Sequence, residues 1–161
     1  MSTRATVARQ TEKPAFVGRY SHWDGYPEGV GTGIIRAIRH FGLDKAKKVL
    51  LDEHIGGWSN IAQADWTQEI GYVEDLNSPN TTNPQCFCHG DRNEEEWVVD
   101  SATDADNVFI EWAYVFDESN DTLMVYEHDV PLWSLIETID LTDLDKAELQ
   151  LAELNKTPQL S

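Results

Sequence analysis

The chain has 161 residues, 40% of them hydrophobic and 10% aromatic, enough apolar surface for one core without disulfides or a structural metal. Its 29 Asp and Glu against 12 Lys and Arg leave a net charge of -17, a field that disfavours nucleic acid and anionic membrane as direct partners. No apolar run is long enough to span a bilayer and the first ten residues lack the apolar stretch of a secretion signal, so a cytoplasmic setting is expected.

The charge is uneven. Residues 1–50 carry nine basic and four acidic side chains, and residues 51–161 carry three and twenty-five. Such asymmetry implies either internal pairing or two faces that meet different partners.

Residues 1–13 are polar and without helical or strand period, which predicts a flexible N-terminal arm, with a single domain over 14–161. Ala15–Tyr20 reads as a short strand, ended by the turn formers of His22–Gly29. Thr32 is placed to cap a helix with Ile34, Ile35, Ile38 and Phe41 at helical spacing, Arg39 and His40 near its end and Gly42 as its stop. Asp44 can cap a second helix over Lys45–Glu53, closed by Gly56 and Gly57. Glu69–Leu76 hints at a strand, and the Asn- and Pro-rich stretch after it predicts a mobile insertion over 77–92.

Strand signals return at Trp97–Val99. They are strongest at Phe109–Asp117 and Thr122–Tyr126, which alternate, are rich in aromatic and β-branched residues and predict an antiparallel hairpin turned by residues 118–121. Pro131–Ile139 mixes strand and helix signals, and Asp143–Leu154 predicts an amphipathic helix carrying Leu144, Ala147, Leu149, Leu151 and Leu154. Together these elements predict an α+β domain, an antiparallel sheet with helices packed on one face.

The segment Tyr20-Ser21-His22-Trp23-Asp24-Gly25-Tyr26-Pro27-Glu28-Gly29-Val30-Gly31, the helix pair, the Gly57-Trp58-Ser59 step and the strand Trp112–Asp117 resemble, in kind and order, a group of small proteins found in actinobacteria and their phages. The resemblance covers about two thirds of the chain. It implies a phage or actinobacterial setting and, because that group has no established activity, brings no catalytic residue.

Four sets of residues could carry chemistry. Gly29, Gly31 and Gly33 open a helix bearing Arg36, and free N–H groups at a helix start favour an anion that glycines let approach closely. Against this, the spacing fits neither the dinucleotide fingerprint nor the P-loop, no Lys follows the last glycine, and Glu28 repels anions, so a plain turn is the preferred reading. His22 and Asp24 share one side of a strand end, next to Trp23 and Tyr26, and could form an acid-base pair; a structural hydrogen bond between them is the blander and preferred reading. Cys86, Cys88 and His89 are zinc-ligand types, but one residue between cysteines and the absence of a second matched pair favour ordinary reduced thiols, so no metal or cofactor is expected.

The fourth set is acidic. Carboxylates at Asp91, Glu94, Glu95, Glu96, Asp104 and Asp106 can imitate phosphates and occupy the basic groove of a nucleic-acid-binding protein, with Trp58 and Trp66, in turn-rich sequence, as exposed anchors. The leading expectation is therefore a non-enzymatic acidic binding or inhibitory protein of phage or mobile-element origin, docking on a basic host protein. The alternative is a small-ligand-binding protein or enzyme, holding an anionic ligand at Gly29–Gly33 and using His22 and Asp24 as acid and base.

Overall fold

The computed structural model describes residues 3–12, 15–54, 56–72, 82–86, 99–100, 110–117, 119–129 and 132–156, and among these a mixed sheet of nine strands carries three helices on one of its faces. The strands are β1 (Arg4–Gln10), β2 (Phe16–Ser21), β3 (Trp58–Asn60), β4 (Gly71–Tyr72), β5 (Gln85–Cys86), β6 (Val99–Asp100), β7 (Ile110–Asp117), β8 (Thr122–Asp129) and β9 (Leu132–Asp140). Their order across the sheet is β4-β5-β3-β2-β1-β7-β8-β9, and β6 lies against the first half of β2. The helices are α1 (Thr32–Phe41), α2 (Leu43–Lys47) and α3 (Leu144–Lys156). The α+β class expected from the sequence holds. The sheet also has parallel pairs, β1 with β7, β2 with β3 and β4 with β5, among its antiparallel ones.

The expected N-terminal arm is corrected by β1, which lies in the middle of the sheet, antiparallel to β2 and parallel to β7. Ala5, Val7 and Ala8 are fully buried, and so is Thr6, whose hydroxyl donates to the Arg19 carbonyl (2.9 Å). A strand covered on both faces has no need of polar and apolar alternation. Small residues such as Ala and Thr suit its crowded position, and they hide it from a search for period two.

The predicted hairpin is present and extends into a meander of three, since β8 pairs along its length with β9. Alternation along these strands sorts the side chains. Tyr114, Phe116, Leu123 and Val125 join Ala5 and Val7 against Ile34, Ile35 and Ile38 of α1, Leu50, and Ala147 and Leu151 of α3. Burial of an aliphatic side chain such as Ile34 or Leu50 contributes about 1.5–3 kcal/mol. The opposite face gathers Ala8, Phe16, Ala113, Val115, Met124 and Tyr126, with Trp133 packed at its side.

Helix α1 ends as its sequence predicts: Gly42 has φ 85° and its N–H donates to the Ile38 carbonyl at 2.8 Å. Its start differs. A wide π turn over Pro27–Gly31 leads directly into α1, so Gly31, not Thr32, occupies the cap position, and no side-chain cap bond is made there. Proline suits a first helical turn because its missing N–H would have no intrahelical partner. The second helix begins at Leu43, one residue before the expected Asp44 cap, and passes into a π turn over Lys48–Glu53 that buries Val49, Leu50 and Leu51. Of the insertion expected over 77–92, residues 82–86 are described and Gln85–Cys86 forms β5; the rest lies outside the described residues.

Candidate functional site

The glycine-rich turn is a packing device. Gly29, Gly31 and Gly33 are all buried. A side chain at Gly29 would meet the Asp24 carbonyl, one at Gly31 would meet Leu151 and Tyr114, and one at Gly33 would meet the Ile61 carbonyl. The N–H groups of Gly29 and Val30 donate to Tyr26 and Asp24 carbonyls (2.9 and 2.8 Å). Arg36, the proposed anion clamp, instead donates to the carbonyls of Ala62 and Ala64, tying the loop after β3 to α1. These residues are brought together as expected, but around protein atoms.

The preferred hydrogen bond between His22 and Asp24 is replaced by two others. His22 Nδ1 lies 2.7 Å from the Tyr20 hydroxyl, with the Trp23 ring edge-on against the imidazole at 4.9 Å. Burial, aided by the Arg4 charge, lowers the imidazole's pKa, and burial pushes the Tyr20 phenol up to about 12. Asp24 sits in the left-handed region (φ 52°), accepts from Gln63 Nε2 at 3.1 Å, and offers its carbonyl to Val30. An imidazole hydrogen-bonded to a phenol and a carboxylate that shapes a turn are arrangements that hold the strand end.

Trp58 and Trp66 are core residues, which corrects their expected role as exposed anchors. Trp58 is fully buried and its indole N–H donates to the Leu50 carbonyl (3.0 Å); Trp66 is 5% exposed and donates to the Gly33 carbonyl (3.1 Å). The two rings meet edge to face at 5.6 Å. Both lie in irregular sequence because they plug the gap between loop and helix, where an indole can satisfy a backbone carbonyl. Asp91, Glu94, Glu95, Glu96, Asp104 and Asp106, like Cys88 and His89, lie outside the described residues, while Cys86 is buried in β5. Among the described residues no group of three or more His, Cys, Asp or Glu could hold a metal ion.

Basic side chains of the N-terminal third bond to groups of their own chain: Arg9 pairs with Asp52 (3.0 Å), Arg39 with Asp145 (2.6 Å) and Glu148 (3.1 Å), and Arg19 Nε donates to the Leu51 carbonyl (2.8 Å). Meanwhile Glu53, Glu69, Glu111, Asp121 and Asp143 are exposed.

Comparison with protein-family models, characterised proteins and solved structures finds no match.

The sheet face opposite α1 and α3 carries a hollow. Asp117 at the end of β7, Met124 and Tyr126 of β8, and Trp133, Leu135 and Thr138 of β9 line a hollow of about 550 Å³. Strand parity places them together, since Val115 pairs with Met124, Met124 with Thr138, and Tyr126 with Leu135 across a bulge. Leu135 stands 51% exposed at its rim. The signal was the run Trp133-Ser134-Leu135, apolar at alternate positions on a strand whose partner supplies Met124 and Tyr126.

Proposed function

We propose that the protein is a non-catalytic acidic binding protein that docks through its carboxylate-rich surface on a basic partner, a nucleic-acid-binding protein of the host being the type that fits best, in a phage or mobile-element setting. The observation that carries this reading is where the cations go. Arg9, Arg19, Arg36 and Arg39 bond to groups of their own chain, while Glu53, Glu69, Glu111, Asp121 and Asp143 stand exposed in a chain of net charge -17, which supports an acidic docking surface. Such a field steers a basic partner and speeds its encounter.

The test is capture of partners by the tagged protein from an actinobacterial lysate at about 0.05 M and about 1 M salt, where screening lengths differ severalfold. Recovery of one basic protein at low salt and its loss at high salt is the expected result, with competition by duplex DNA if the partner's groove is the target. Capture that survives high salt, or of acidic proteins only, would refute the electrostatic reading.

A further inference from the structure

We infer that the hollow between the ends of β7, β8 and β9 is a binding site for an organic cation, an alkylammonium or alkylguanidinium group, whose apolar body lies against Trp133 and Tyr126 and whose charge faces Asp117. The hollow's volume of about 550 Å³ falls in the range of about 300–1,000 Å³ usual for small-molecule sites. Its lining is apolar and aromatic at Met124, Tyr126, Trp133 and Leu135, and polar but uncharged at Asn120, Thr122 and Thr138. Met124 and Tyr126 form the floor at 4% and 5% exposure, Trp133 is half-buried at the side, and Leu135 extends the apolar rim.

At one end sits the Asp117 carboxylate. Asp117 is only 7% exposed, and its Oδ1 accepts from the Ser119 N–H (3.1 Å) and hydroxyl (2.7 Å), its Oδ2 from Asn120 Nδ2 (3.0 Å). These donors hold the group in place at the end of the hollow. Its charge is felt inside the hollow: after burial, it is the second cause that raises the pKa of the Tyr126 phenol. An anion would meet this carboxylate and the field of the whole protein. A cation is attracted by both, and the aromatic rings of Tyr126 and Trp133 in the lining add to the attraction.

The inference stands apart from the docking reading. The experiment is an NMR titration of the wild-type protein with n-butylammonium chloride, following the Trp133 indole N–H and the Met124 methyl, with 1-butanol as the uncharged match in size. Saturable shifts with the amine, binding about tenfold weaker for the alcohol, and loss of binding in Asp117→Asn are expected. Because Asp117 also holds a turn, Leu135→Arg is the second variant: it changes a half-exposed rim residue opposite Tyr126, leaves the floor intact, and places a guanidinium beside the ligand's apolar body, where it repels the cation. Equal binding of Nα-acetyl-lysine N-methylamide would identify a lysine of a partner chain as an admissible source of the cation, and its exclusion would identify a free amine. An alcohol that matches the amine, the absence of saturable shifts, or full affinity in a folded Leu135→Arg protein would overturn the inference.

Discussion

Gly31 lies where the π turn passes into α1, at φ -55° and ψ -52°, angles open to any residue. What demands glycine is space: a methyl group there would stand 2.8 Å from Leu151 Cδ2 and 3.3 Å from Tyr114 Cε1. Both neighbours are fully buried, and Tyr114 is further fixed by its hydroxyl bond to the Gly25 carbonyl (2.5 Å), so neither can swing into solvent. Gly31→Ala should therefore overpack the contact between α1, α3 and the sheet at a cost of about 1–3 kcal/mol. The stiffer unfolded chain returns about 0.4–1 kcal/mol, leaving a net loss of about 1–2 kcal/mol. Leu151→Ala alone opens a cavity and costs about 2–5 kcal/mol. In the double variant the new methyl enters the vacated space, so the two losses should fall short of additivity by about 1–2 kcal/mol. Urea unfolding followed by circular dichroism supplies the four free energies. Additivity within about 0.5 kcal/mol, or a Gly31→Ala protein more stable than the parent, would refute the packing account and return the glycine to a ligand cradle.

Gly33→Ala should be more damaging and not repairable by trimming a side chain, because the obstacle is the Ile61 carbonyl; a urea midpoint unchanged from the parent would contradict this. Trp58→Ala removes a fully buried indole and should cost about 3–5 kcal/mol, so the variant ought to lose thermal stability; a native-stability variant that fails only in partner capture would restore the anchor role. His22, whose pKa in the folded protein lies below the ordinary 6.5, contributes stability that is full above 6.5 and lost as pH falls through the lower folded value. The stability gap between wild type and His22→Gln should thus narrow as pH is lowered, and an imidazole NMR titration midpoint above 6.5 would sink this reasoning. In alkali, Tyr20 at about 12 and Tyr114, raised well above 10 by burial, contribute stability that is present below 10 and lost as pH rises through their folded values. Ultraviolet titration should show the two ionising late or only with unfolding, and Tyr20→Phe should delete one late step.

Local signals were legible where residue type or period sets an element apart. β7 and β8 are rich in aromatic and β-branched residues, α1 repeats its isoleucines at helical spacing and stops at a glycine with positive φ, and α3 sets Leu144, Ala147 and Leu151 toward the core while Leu149 is exposed. The central strand β1 is buried on both faces as β7 is, but its small Ala and Thr residues show neither alternation nor the bulky composition that announces β7. The tryptophans misled because a turn-rich neighbourhood is ordinarily exposed, whereas Trp58 and Trp66 use their N–H groups to bond carbonyls that a helix and a turn present to the core. The hollow beside Asp117 depends on which residues face one another across β8 and β9, a register set partly by the bulge between Val125 and Tyr126. No single segment encodes it. The anion-clamp reading of Arg36 failed because sequence shows a charge and not the backbone carbonyls that claim it.

The parallel pairing of β1 with β7 matches Arg4 to Ile110 and Arg9 to Phe116, and it joins the hairpin of β1 and β2 to the meander of β7, β8 and β9. Each unit can be closed by short turns, but the seam between them waits for the two ends of a very long loop to meet, a step whose entropic cost falls before any contact rewards it. A nascent chain leaving the ribosome therefore exposes one unpaired edge of β1, flanked by Ala5, Val7 and Ala8, until β7 has been made. That interval is when this sheet is most open to a wrong neighbour, and the arginines at both ends of the strand, Arg4 and Arg9, are the kind of charge that keeps such an edge from pairing with another copy of itself.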